Sequence, residues 1–251
     1  MKPENPAADQ IPQLRQLWQL AFGDSEEFIH LFFSTAYDPR RCRLITLEGR
    51  TAAALYWFDV HCCGRKMAYI YAVATHPDFQ NRGLCRRLMA DTHALLAELG
   101  YTVTLLVPGE PRLREMYAKM GYQNCGGMDT ISCTAAKTAV PLRPIDKEEY
   151  AALRRNYLPE GGVIQERETH SYLETYAQFY AGEDFLLTAA PDGPLLNGIE
   201  LLGNTAAAPG ILTTLGYASG TFRIPGEAPF AMFRQLADNA EIPTYFGLAF
   251  D

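Results

Sequence analysis

The chain has no run of 18 or more apolar residues, which leaves a membrane-spanning helix of ordinary length without support. Its opening, MKPENPAADQ, lacks the apolar centre of a signal peptide. The six cysteines, at 42, 62, 63, 85, 125 and 133, show no CxxC spacing. Zinc is therefore not expected, and free thiols in a reducing cytoplasm are the simpler account. Basic residues number 22 against 29 acidic ones. The net charge of −7 argues against broad nucleic-acid binding, which needs a surplus of Lys and Arg to neutralise phosphates. Neither GxxxxGK[ST] nor a GxGxxG after a strand is present, so neither a P-loop nor a dinucleotide fingerprint is supported. There is no low-complexity tract.

What is present is an ordinary globular pattern, long enough at 251 residues for one large domain or two small ones. QIPQLRQLWQLAF (10–22) places Ile11, Leu14, Leu17, Trp18 and Ala21 on one helical face, and Gly23 ends that helix. Asp24 or Ser25 caps a second helix over about 25–36, with Phe28, Leu31, Phe32 and Thr35 along one side. RLITLE (43–48), AALYWFDV (53–60) and MAYIYAVAT (67–75) read as an antiparallel meander with turns at Gly49 and Gly64. A helix over about 83–99 and the strand YTVTLLV (101–107) then complete a βαβ unit, whose two strands must run parallel. A short helix, 111–120, closes at Gly121.

The stretch THPDFQNRGLCRRLM (75–89) holds the one glycine of its loop just where the helix begins. The first N–H groups of a helix have no intrahelical partner and face along a dipole that favours anions. Gly83 lets the backbone come close to a bound group, and Gln80, Asn81, Arg82, Leu84, Cys85 and Arg86 can turn their amides to the same spot. Chemically the turn suits a pyrophosphate.

Gln80-x-x-Gly83-x-Cys85, between a strand and a helix, resembles the Q/R-x-x-G-x-G/A motif of the GNAT N-acetyltransferases. The order of elements over about residues 1–130 is similar to that family's. LREMYAKMGY (113–122) is similar to its second signature, a short helix bearing a tyrosine. The resemblance implies an α/β fold, a mixed sheet with flanking helices, and acetyl-CoA as co-substrate with no metal. It implies that the loop amides bind the pyrophosphate and that the strand before it, with Val73, Ala74 and Thr75, serves the pantetheine arm and the oxyanion. It assigns to Tyr117 the protonation of the departing thiolate. Cys85 departs from the family's usual Gly or Ala, which implies a looser fit to the phosphates.

Amine acylation also needs a deprotonated nucleophile. The strand 67–75 has no carboxylate, and His76, before a proline, reads as structural. In relatives of the enhanced-intracellular-survival type the C-terminal carboxylate takes part in catalysis, which would here be Asp251. The base is left unassigned.

TAAKTAVPLRP (134–144) reads as a boundary, giving a catalytic domain over 1–135 and a second, smaller one over 140–251. In the latter GIELLGN (198–204), TAAAPGILTTLG (205–216) and YASGTFRI (217–224) repeat strand, helix and strand without a glycine cradle. That pattern is expected of a degenerate GNAT-like copy. Its aromatics Tyr172, Tyr176, Phe179 and Tyr180 suit either a substrate wall or a core. The expected reaction is acetyl transfer to a primary amine, small molecule or peptide, by direct attack in a ternary complex. Its rivals are an acyl-CoA sensor or interaction module without catalysis and a tandem aminoacyl transferase using charged tRNA. Acceptor, acyl length and oligomeric state are not legible.

Overall fold

The structure is a computed structural model that describes residues 2–238 and 240–250. Two compact units divide the chain, Met1–Gln123 with Phe233–Glu241 and Asn124–Met232 with Ile242–Asp251.

In the first unit, α1 (Ile11–Phe22) ends where Gly23 takes φ +75, and α2 (Glu26–Thr35) starts under the Ser25 hydroxyl, which accepts from the Phe28 amide. The meander is β1 (Cys42–Leu47), β2 (Arg50–Cys62) and β3 (Arg65–Thr75), antiparallel throughout. Both hairpins turn on two residues at positive φ, Glu48–Gly49 and Cys63–Gly64, the geometry that matches strand twist. The crossover helix α3 (Leu84–Glu98) returns the chain to β4 (Val103–Leu106), parallel to β3, as a βαβ unit requires. The short α4 (Pro111–Ala118) follows. Thr102 O accepts from the amides of Leu236 and Ala237, which ties the returning segment to the start of β4.

The buried faces differ in detail from those read from periodicity. α2 buries Ile29 and Phe32, while Thr35 is exposed, because the helix turns its aromatic side onto Trp18. α3 buries Thr92 and His93 and leaves Leu99 more than half exposed, at 53%. Both polar side chains find partners inside: Thr92 Oγ1 donates to Leu88 O, and His93 pairs with Tyr122.

The second unit comprises β5 (Gln123–Thr134), β6 (Leu142–Ile145), α5 (Lys147–Tyr157), β7 (Ile164–Gln165), α6 (Glu168–Leu173), β8 (Gln178–Gly182), β9 (Phe185–Asp192), β10 (Leu195–Gly203), α7 (Ala208–Leu215) and β11 (Ser219–Gln235), whose last three residues belong to the first unit. Its strand order is β11, β10, β9, β8, β6, and β10 and β11 are parallel across α7, a second βαβ arrangement. Tyr172 and Phe179 are fully buried core residues, so of the four aromatics these two form no exposed wall. In the same unit Glu200 receives a two-pronged bond from Arg154, at 2.6 and 2.8 Å, and bonds from the hydroxyls of Tyr150 (2.7 Å) and Tyr245 (2.9 Å), all buried.

Candidate active site

The loop before α3 folds through two residues in the left-handed region, Asn81 at φ +60 and Gly83 at φ +73. Gly83 is the N-cap of α3, and a methyl group built on it meets no atom within 4 Å. Its surroundings are open and its need for glycine is conformational. The first backbone bond of the helix runs from Arg87 N to Gly83 O, 3.1 Å. Among the described residues no hydrogen-bond acceptor falls to the amides of Asn81, Arg82, Gly83, Leu84, Cys85 or Arg86. The Gln80 amide is the exception in the expected set, since it donates to Pro77 O at 3.3 Å. No acidic residue occupies the first turn, and Arg86 and Arg87 are exposed beside it.

Two side chains in this loop differ from free solvated groups. The Arg82 guanidinium donates to Asp78 O (3.1 Å) and lies 5.2 Å from the Phe79 ring centre, so its charge is tethered to the preceding turn. Cys85 is partly buried, which pushes its thiol up to about 11. At neutral pH it is a small uncharged group and sets no negative charge against a phosphate. The cradle therefore fits an anion despite the cysteine.

Beside the loop, β3 carries a feature that no sequence pattern announced. Ala54 pairs with Ala74 and Tyr56 with Tyr71, so one residue of β2 faces two of β3, and Ala72 takes φ +47. The parallel ladder from β3 to β4 covers Met67–Tyr69 and stops there. Val73, Ala74 and Thr75 thus lie beyond that ladder, in the bulged half of β3 that runs into the loop.

Tyr117 on α4 is 6% exposed, and its burial, with the Cys85 thiol nearby, raises its pKa well above the usual phenol value. It is a neutral proton donor across the physiological range. Its hydroxyl has no hydrogen-bond partner among the described residues, and its ring meets Tyr122 edge to face with centroids 5.7 Å apart. Cys85 thus acts on Tyr117 electrostatically. Tyr122, which meets the Tyr117 ring, is bonded in turn to His93 and Thr104, a set that sequence reading missed because nothing in a helical period marks a buried histidine as paired.

His76 is not poised as a base. Its Nδ1 accepts from the Asp78 amide at 3.2 Å, capping the turn Pro77–Phe79. Asp251 lies outside the described residues. Among those residues no group of three His, Cys, Asp or Glu could hold a metal ion, and no helix is long and apolar enough to cross a membrane.

Comparison with known proteins gives a family and a fold. The acetyltransferase (GNAT) domain family matches residues 3–125. No curated protein matches the chain in sequence. Among solved structures, a GCN5-related N-acetyltransferase from Anabaena variabilis superposes with a TM-score of 0.74 at 16% identity, over 94% of this chain and 73% of that one. Eis1 from Mycobacterium abscessus superposes at 0.66 and 10% identity, over 94% and 74%. A tandem GNAT protein from the clavulanic acid biosynthesis pathway superposes at 0.59 and 12% identity, over 95% and 99%. At these identities the likeness is one of fold.

Proposed function

Given that residues 3–125 belong to the GNAT acetyltransferases, we propose that the chain transfers an acetyl group from acetyl-CoA to a primary amine. The observation that carries this is the set of unpartnered amides from Asn81 to Arg86 around the left-handed Gly83. Such a set gives a pyrophosphate several charge-assisted bonds at once, at the positive end of α3. Val73, Ala74 and Thr75, past the β3–β4 ladder, serve the pantetheine arm and supply an amide to the oxyanion. The neutral amine attacks the thioester carbonyl, the C–N bond forms, the C–S bond breaks, Tyr117 gives its proton to the departing sulfur, and the proton that the new amide nitrogen sheds passes to solvent, from which Tyr117 is reprotonated. The catalytic domain in this reading covers 1–135, and 140–251 is a GNAT-like copy without a cradle, since its one run of the Q/R-x-x-G-x-G/A pattern, Arg223–Ala228, lies inside strand β11 and heads no helix.

Calorimetry with acetyl-CoA tests the cradle, and thiol release with an amine panel tests the transfer. Binding without thiol release from any amine leaves a sensor; no binding by folded protein removes the proposal altogether.

A further inference from the structure

The acid step proposed above needs the Tyr117 hydroxyl to point at the departing sulfur, yet that hydroxyl has no hydrogen bond of its own among the described residues. Its direction must come from packing, and the end of α4 supplies it. Gly121 takes φ +87 and donates to Ala118 O at 2.9 Å, and the next amide, Tyr122 N, reaches back to Tyr117 O at 3.1 Å. Such a pair of bonds closes a helix through a left-handed glycine and folds the following residue back over the last turn. The residue folded back here is Tyr122. It meets the Tyr117 ring with planes 64° apart and centroids at 5.7 Å.

Tyr122 is itself anchored at its far end. Its hydroxyl lies 2.8 Å from His93 Nε2 on α3 and 2.9 Å from Thr104 Oγ1 on β4, and the residue is 2% exposed. The anchors thus sit on two elements of the βαβ unit, one of which, α3, opens with the amide cradle. With both sides of its hydroxyl engaged inside the protein, Tyr122 is no rival proton donor, and the role stays with Tyr117. Two torsions set where a tyrosine hydroxyl points, and a fixed ring against the side chain limits both. We infer that Tyr122 is a positioning residue for the acid step: anchored by His93 and Thr104, its ring holds the Tyr117 hydroxyl in its working direction. The inference rests on the acid role proposed for Tyr117. Misplacing a reacting group by about 1 Å can cost about 10²-fold in rate, so a loosened brace shows in kcat and not in cofactor binding.

The test is a double-mutant cycle of Tyr117→Phe and Tyr122→Phe, read by thiol release with acetyl-CoA and the best amine of the panel. Tyr122→Phe keeps the ring and cuts both anchors. Expected is a fall in kcat of about tenfold at unchanged KM for acetyl-CoA, and no further fall when the same change is made in Tyr117→Phe. An equal fall in both backgrounds, a wild-type kcat, or a loss confined to KM overturns the inference. Thr104→Val removes one anchor and serves if Tyr122→Phe does not fold; it should lower kcat part of the way, and Thr104→Ser should recover most of that loss. NMR of tyrosine-labelled protein gives a reading free of turnover. The Tyr117 ring signal, identified by its loss in Tyr117→Phe, should move in Tyr122→Phe and in Thr104→Val, and an unmoved signal overturns the brace. Full turnover in Tyr117→Phe takes away the acid role, and no thiol release with any amine takes away the transfer; in either case the positioning role falls too.

Discussion

His93 Nε2 lies 2.8 Å from the Tyr122 hydroxyl, which on its other side is 2.9 Å from Thr104 Oγ1, all inside the first unit. Burial, reinforced by the Arg234 charge, lowers the His93 pKa to about 4. Its ordinary value is about 6.5, so between those values the unfolded chain binds a proton that the folded one refuses. The stability that comes from keeping His93 neutral is whole above pH 6.5 and is lost as pH falls towards 4, by up to about 3 kcal/mol.

Denaturant unfolding across that window should therefore be less pH-dependent in His93→Gln than in the wild type. His170 in the second unit has its pKa lowered to about 4 by burial and the Arg154 charge, so part of the slope remains. An unchanged slope in His93→Gln would show that His93 does not titrate this way.

Gly83 and Gly49 form a matched pair, at φ +73 and +74, and a methyl group built on either meets no atom within 4 Å. Replacing either with alanine should cost the same, about 1 kcal/mol, for forcing a Cβ into the left-handed region. Only Gly83→Ala should also weaken acetyl-CoA binding, by about tenfold or more, because the loop relaxes and its amides diverge. Calorimetry of the two variants side by side separates the cradle from the turn.

Tyr117→Phe removes a hydroxyl with no partner among the described residues, so thermal stability should scarcely move. Turnover with a good amine should fall by roughly 10²-fold, the usual scale for loss of a general acid. Retention of full turnover would take the acid role away from Tyr117.

The buried Arg154–Glu200 pair should dominate the stability of the second unit. Burial alone raises the Glu200 carboxyl, but Arg154 and the two tyrosine hydroxyls more than offset this and hold it below the usual carboxylate range. Its contribution is present above the unfolded value and is lost as pH falls through the lower folded one. Glu200→Gln leaves the Arg154 charge buried without its counter-ion and should cost about 3–5 kcal/mol. Arg154→Met combined with Glu200→Leu should recover much of that loss, a non-additivity that a double-mutant cycle measures.

Much of the architecture follows from local signals. The helix stop at Gly23, the Ser25 cap, the turns at Gly49 and Gly64 and the parallel β3–α3–β4 unit each rest on residues close in sequence, where backbone freedom and periodicity act directly. The left-handed Gly83 at the head of α3 is of this kind. The resemblance to GNAT enzymes rested on those same residues.

Other features were decided only in three dimensions. The bulge at Ala72 arises from how β2 and β3 settle their register, which neither strand encodes alone. Leu236 and Ala237 bond to Thr102, at the start of β4, from more than a hundred residues away. Glu200 and Arg154 look like surface charges in a linear reading, and it is the enclosing tyrosines that turn them into a buried pair. Periodicity reports which side of an element is apolar. Which polar group meets which depends on contacts between distant segments.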